Sequence, residues 1–449
     1  MIALLLFGVF FLLILLRIPI GLSLAVSSMM VLFVTLGTRG FNLIADIMYA
    51  SVAKFTLLAI PFFILAGVIM EHSGISKRLI NFAQALVGHY KSGIVFITVI
   101  VAVFFAAISG SGPATVAAIG GILIPALVKN GYKKETAAGL VASSGSIGII
   151  IPPSIAFIVF AVVAGDQIPV SIGRLFIAGI VPGVLLGIGL VLAMIYVRWR
   201  SDRSERKLTT DEANLDGEIA ATTERASLPE VGKSFYQALW GLLIPVIILG
   251  GIYGGKFTPT EAAVVAVFYG LFVGAFIYRE LTWKKLYKIF VDASVQTAVV
   301  MFIVSTASIF AYIITTEQIA RDISNALLSI SENPIVILLL INIILLIAGA
   351  FIDAISALYI FVPILLPVIL FFDIDPTVFG VFMTVNLAIG LFTPPVGLNL
   401  YVASGISKSS LVDVSKAIIP FVIVAIMVLL CITYIPAISN FLPDLLNVD

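Results

Sequence analysis

Apolar runs of about twenty residues recur along the chain from Ile2 to a segment ending near Tyr434, and about 20 such residues are what a helix needs to cross a bilayer. Backbone amides in hydrocarbon find no water, so each run must close its own hydrogen bonds. Hydrophobic residues make up 61% of the 449 and charged residues 11%, against roughly 45–50% and about 25% in soluble domains. The expectation is an all-α polytopic membrane protein. With a net charge of +1 and its bases in short clusters, the chain offers no basic face for nucleic acid. Cys431 is the only cysteine, which excludes an intrachain disulfide and a cysteine metal site. The first run, Ile2 to Leu16, leads into Arg17-Ile-Pro19-Ile-Gly21 rather than a small-residue cleavage site, and reads as a retained helix, not a signal peptide.

A polar stretch from about Arg198 to Lys233 divides the chain into a first half, 1–200, a linker, 201–235, expected to face the cytoplasm, and a second half, 236–449. The halves share a plan. Gly148-Ile-Ile-Ile-Pro152-Pro153 returns as Gly390-Leu-Phe-Thr393-Pro394-Pro395 at an offset of 242, which also carries Pro125 onto Pro367. In the first half, helices are expected at 2–16, 18–36 and 44–71, followed by an amphipathic stretch to about Tyr90, an interrupted segment 91–130, a broken helix 135–163 and a helix 172–198. Counterparts fall at 236–252, 260–278 and 290–316, with a second interrupted segment 334–372, a broken helix 376–404 and a last helix 412–437.

Lys91 at one end of the first interrupted segment and Lys129, Lys133 and Lys134 at the other suggest that it enters and returns as a hairpin. Five full crossings then remain per half, an odd number, so the second half should be inverted. With the N-terminus outside, 20 of the 25 Lys and Arg face the cytoplasm, and Arg39, Lys54, Arg174, Lys256 and Arg321 fall outside. That bias follows the positive-inside rule and puts both termini in the periplasm.

Inverted repeats with discontinuous helices are the architecture of many secondary transporters, where unwound backbone supplies carbonyls to a cation. Ser109-Gly-Ser111-Gly-Pro113 forms a candidate hairpin tip, and Gly148 to Pro153 a facing break whose prolines remove donors and free carbonyls. A hard cation such as sodium wants a ring of oxygens, as calcium and magnesium do. The offset places Asp353 opposite Ser111 and Thr393 opposite Ile151. An ionisable group in an apolar hairpin costs about 2.5–3.5 kcal/mol on insertion scales and marks a functional site by default. The bland alternatives are close packing for the serines, glycines and prolines, helix capping for Asp353, and solvated connector positions for His72 and His89. Two such breaks in register favour the functional reading.

At these residues the sequence resembles the large membrane subunit of tripartite ATP-independent periplasmic (TRAP) transporters. The matching blocks are IPFFILAGVIM from Ile60, ISGSGPATVAAIGGILIPAL from Ile108, SIGIIIPPS from Ser146, GGIYGGKFTPTEAA from Gly250 and NLAIGLFTPPVGLNLYV from Asn386. The resemblance implies an elevator mechanism, a periplasmic substrate-binding protein and a small four-helix membrane subunit as partners, and sodium as the coupling ion, about two per cycle. It implies one sodium site at Ser109, Ser111, Gly148, Ile151 and Pro153. A second would lie at Phe351, Asp353, Gly390 and Thr393, with Phe351 standing where a small residue is expected and contributing at most a carbonyl. The solute would lie between them, near Ser111, Thr393 and Asn399.

The expected function is therefore sodium-coupled import of a small carboxylate or similar organic anion. The alternative is a free-standing ion-coupled carboxylate permease that needs no binding protein. An intramembrane enzyme is disfavoured because no nucleophile with a base, metal-ligand cluster or phosphate loop appears. A structural scaffold or receptor leaves the two breaks unexplained.

Overall fold

A computed structural model of the chain describes residues 2–87, 93–208 and 227–448, and every regular element among them is helical. In the first half α1 (Ile2–Leu15), α2 (Ile20–Leu36), α3 (Gly40–Val52), α4 (Ala59–His72) and α5 (Ile75–Val87) come before a helical hairpin, α6 (Gly93–Ser109) and α7 (Gly112–Lys129). The broken helix follows as α8 (Lys134–Gly145) and α9 (Ile155–Ala164), then α10 (Ile172–Leu208). The second half continues with α11 (Leu228–Tyr253), α12 (Pro259–Phe272), α13 (Trp283–Thr316) and α14 (Ile319–Ile330). Its hairpin is α15 (Pro334–Phe351) and α16 (Ala354–Phe371), and its broken helix is α17 (Pro376–Gly390) and α18 (Leu398–Ser407). Helices α19 (Leu411–Ala417), α20 (Ile419–Tyr434) and α21 (Ala437–Leu445) complete the described chain. Nine stretches among the described residues are long and apolar enough to cross a membrane, or ten if α19 and α20, bent by 50° at their junction, count as one.

Three local outcomes differ from the sequence reading. The helix expected over 44–71 is two helices, because the backbone turns extended at Lys54 and passes through a tight 3-10 turn, Phe55–Leu58. That turn brings the Lys54 ammonium to 2.9 Å from Asp166, with both side chains open to solvent. The linker expected over 201–235 is helical at both ends. α10 continues to Leu208, and α11 starts at Leu228 behind a reciprocal capping box, in which Ser227 accepts from the Glu230 amide and Glu230 from the Ser227 amide. Residues 209–226, the middle of that linker, lie outside the described residues, as do His89 and Lys91. Amphipathic α14 and α21 were not anticipated, since each is too short to register as a crossing.

The parts that build the site pack across the halves. α7 lies against α8 and α18, α16 against α9 and α13, and α15 against α17, while long α13 also runs beside α2, α3 and α4. α10 fixes relative direction. Near its start Arg174 lies 3.1 Å from Asp444 and 3.7 Å from Asp375, the residue that caps α17. Far along the same helix Arg198 donates to the Tyr132 hydroxyl at 2.9 Å, just before α8 begins. The starts of α8 and α17 thus sit at the two ends of a helical stretch roughly 36 Å long at 1.5 Å per residue.

Candidate cation and solute site

Each hairpin turns on two residues. In the first they are Gly110 and Ser111. Gly110 takes φ +60°, a left-handed backbone that costs glycine nothing, and an added Cβ would stand 2.8 Å from the Pro153 carbonyl oxygen. Ser111 is the N-cap of α7 without a side-chain cap bond, and Pro113 occupies the first turn, where its missing amide is no loss. Three oxygens gather here: the Ser109 hydroxyl lies 2.8 Å from the Thr115 hydroxyl and 3.2 Å from the Ser111 carbonyl, to which Thr115 also donates at 2.8 Å.

The facing break, 146–154, is buried throughout, as irregular backbone at membrane depth requires. Gly148 presses on the tip, for a Cβ there would lie 2.8 Å from both the Ser111 carbonyl oxygen and the Thr115 hydroxyl. Ser154 closes the break, donating to the Ile149 carbonyl and accepting from the Phe157 amide as the cap of α9. The structure therefore brings Ser109, Ser111, Gly148 and Pro153 together. The Ile151 side chain packs towards Gly183 on α10, so only its backbone can contribute polarity.

The second hairpin turns on Ile352 and Asp353. Asp353 caps α16: one carboxylate oxygen accepts from the amides of Ile355 and Ser356 at 2.9 and 3.0 Å, and the other from the Ser356 hydroxyl at 2.5 Å. A carboxylate has about four lone-pair directions, so one stays open. Gly390 meets Gly349 of α15 backbone to backbone, where an added Cβ would lie 2.3 to 2.5 Å from Gly349 atoms. The Gly397 amide reaches the Ala350 carbonyl at 3.4 Å, tying the second break to this hairpin. Phe351 is 40% exposed, and its side chain takes no part. Thr393, half-buried, donates to the Ile389 carbonyl at 2.7 Å, and among the described residues no hydrogen bond joins it to Asp353. Both Pro-Pro bonds, Pro152-Pro153 and Pro394-Pro395, are cis.

Asn399 crosses between the halves. Although it follows the second break, its side-chain amide donates to the Ala142 carbonyl at 3.0 Å, and its Oδ1 faces Gly112 beside the first tip. That oxygen is buried without a hydrogen-bond partner. Ser111 and Asn399 therefore share one tip, and Thr393 stands at the other break.

A cavity of about 290 Å³ reaches Ser109 and Ser111 from between α4 and α13, with Glu71 and Gln296 on its wall. Among the described residues no three His, Cys, Asp or Glu side chains cluster as a metal site, so a cation here would rely on hydroxyls, carbonyls and one carboxylate. Sequence reasoning missed Thr115, Ser356, Glu71 and Gln296. The first two carried a signal, a hydroxyl four residues after Ser111 and three after Asp353, the spacings that meet on one helix face.

A family model described as the tripartite ATP-independent periplasmic transporter, DctM component, matches residues 7–438. The chain belongs to this family. An isethionate TRAP transporter permease protein DctMQ from Oleidesulfovibrio alaskensis is 44% identical over 97% of this chain, which spans 65% of that protein's length. C4-dicarboxylate TRAP transporter large permease proteins DctM from Vibrio cholerae and Rhodobacter capsulatus are 40% and 38% identical, over 96% and 99% of this chain and 94% and 99% of their own lengths. The fold is similar to the crystal structure of the Alcanivorax borkumensis YdaH transporter, with a TM-score of 0.58, 12% identity and 89% of each chain covered. The chain is thus a multi-pass permease of the bacterial inner membrane with a role in transport.

Proposed function

We propose that this chain is the channel-forming large permease subunit of a sodium-coupled TRAP transporter, importing a small organic anion that a periplasmic binding protein delivers. The observation that carries the reading is the first tip and its break, where the oxygens of Ser109, Ser111 and Thr115 converge beside Gly148, a position that no side chain could share. The Pro153 carbonyl stands beside Gly110 and Asn399 adds an unpartnered buried oxygen, and on this reading the Ile151 carbonyl would complete the group. These donors fit a hard cation. Asp353, with one direction of its carboxylate uncommitted, would hold the second ion with backbone from Phe351 and Gly390 and the Thr393 hydroxyl. Bound sodium supplies positive charge beside which an anionic solute can cross.

An inverted repeat is supported by the opposite ends of α10 that α8 and α17 start from, and an elevator step would move both hairpins against α4 and α13. Partners are a small four-helix membrane subunit and the binding protein. The test is uptake of organic acids into proteoliposomes holding the complete assembly, with and without an inward sodium gradient. Sodium-dependent uptake is expected. Full-rate uptake without sodium would overturn the coupling, and uptake without a binding protein would favour the free-standing permease.

A further inference from the structure

A second cavity, of about 470 Å³, opens where α3 gives way to α4 and is walled by α13 and α16. It touches α13 at 308–316 whereas the cavity at the first tip touches it at 295–300, a separation of roughly 20 Å along the helix. Its charged lining among the described residues is Lys54 and Asp166, paired at 2.9 Å with 39% and 68% of their side chains exposed. An ion pair this open to solvent contributes little and exchanges partners readily.

The hydroxyls around it are committed in one direction. Ser51 donates to Met48, Ser308 to Val304, Thr315 to Ala311 and Thr316 to Tyr312, each to a carbonyl of its own helix at 2.8 to 3.0 Å. A hydroxyl has one hydrogen and two lone pairs, so each shows the cavity only acceptors, and an ammonium shows only donors. The Gln167 amide already points to the Pro363 carbonyl at 3.4 Å. The Tyr359 hydroxyl is hydrogen-bonded to Ser308, so these two satisfy each other, and Tyr312 can donate or accept. The wall thus offers one cation, paired with Asp166, and the open acceptors of Ser51, Thr315 and Thr316. A solute that satisfies it carries one anionic group for Lys54 and hydroxyl hydrogens for Ser51, Thr315 and Thr316, whereas a second carboxylate would face lone pairs and the Asp166 carboxylate with no second cation.

We propose that this cavity is a binding station for a small hydroxylated monoanion, a hydroxyalkyl sulfonate or hydroxy carboxylate, which displaces Asp166 from Lys54. The proposal rests on the organic-anion transport reading and adds to it a place and a solute class. Tyr359 and Pro363, on its α16 side, lie on the same helix that Asp353 caps, so a solute leaving Lys54 moves along α16 towards the second tip.

The test uses the full chain with its small membrane subunit, in membranes in sodium buffer without the binding protein. A single thiol is placed by Thr316→Cys on a Cys431→Ser background, and its reaction with a charged thiol reagent is followed with isethionate, glycolate or succinate present. Either monoanion is expected to slow labelling about tenfold at concentrations where succinate does not. Lys54→Gln is expected to abolish protection and Lys54→Arg to keep it. Protection by neither monoanion, equal protection by succinate, or protection that survives Lys54→Gln overturns the proposal. Sodium-driven uptake by the complete assembly separates the two readings: uptake of an organic acid without protection removes this inference alone, and no uptake of any acid removes the transport reading.

Discussion

At single positions, the side chains that the sequence singles out do two things at once, and the two can be separated. Asp353 caps α16 and, on the proposed reading, binds sodium. Loss of a cap costs about 0.5–2 kcal/mol, and asparagine caps nearly as well as aspartate. Asp353→Asn is therefore expected to keep the melting temperature in detergent close to that of the parent while weakening the apparent sodium affinity of uptake about tenfold, the loss of a charge-assisted interaction. An unchanged sodium response in this variant would reduce Asp353 to a cap. Gly148 and Gly390 admit no Cβ, because the atoms in the way at 2.3 to 2.8 Å are mostly backbone and cannot rotate aside. Gly148→Ala is expected to abolish sodium-driven uptake with helix content retained by circular dichroism; wild-type uptake would mean that the first tip tolerates displacement from its break.

At the level of elements, the second break is held from behind by a buried amide network. Asn342 on α15 donates to Thr433 on α20 at 3.2 Å and accepts from Asn386 on α17, which joins the hairpin, the broken helix and the following helix at one point. A single hydrogen bond of this kind averages about 0.6 kcal/mol in a membrane protein, but an orphaned buried partner costs about 1–3 kcal/mol. Asn342→Leu should therefore lower thermal stability in detergent, and the pair Asn342→Leu with Asn386→Leu should recover part of the loss. A double variant less stable than either single one would show that the amides hold the helices by their bonds, not by mutual satisfaction. The interruptions of the apolar segments were legible, and the helices part at 110–111 and 352–353. The division of 44–71 was not legible, because the partner that draws Lys54 out, Asp166, is 112 residues away.

On the scale of the whole molecule, side-chain contacts join residues that charge counting put on one side of the membrane. Arg78 pairs with Glu280 at 2.7 Å and stacks on Tyr278, Lys134 reaches the Lys408 carbonyl, and Arg198 meets Tyr132, all at the end expected to face the cytoplasm. At the same end the Tyr278 hydroxyl donates to the Gln237 carbonyl at 2.6 Å. Lys54 with Asp166 and Arg174 with Asp444 gather at the other end. On a Cys431→Ser background, Arg39→Cys should react with an impermeant thiol reagent from outside intact cells and Lys408→Cys only after permeabilisation; the reverse pattern would invert the proposed topology.

Composition and periodicity were enough to determine that this chain is an all-helical bundle with many apolar spans, because hydrocarbon forces every backbone group to find a partner nearby in sequence, and that leaves a local record. Which oxygens meet is another matter. Asn399 follows the second break yet serves the first tip, Thr115 completes an oxygen cluster that serines announced alone, and Lys54 abandons its helix for Asp166. Those choices belong to the tertiary structure, since they depend on how hairpins and broken helices from both halves lie against one another, and no local pattern encodes a distance between segments that far apart.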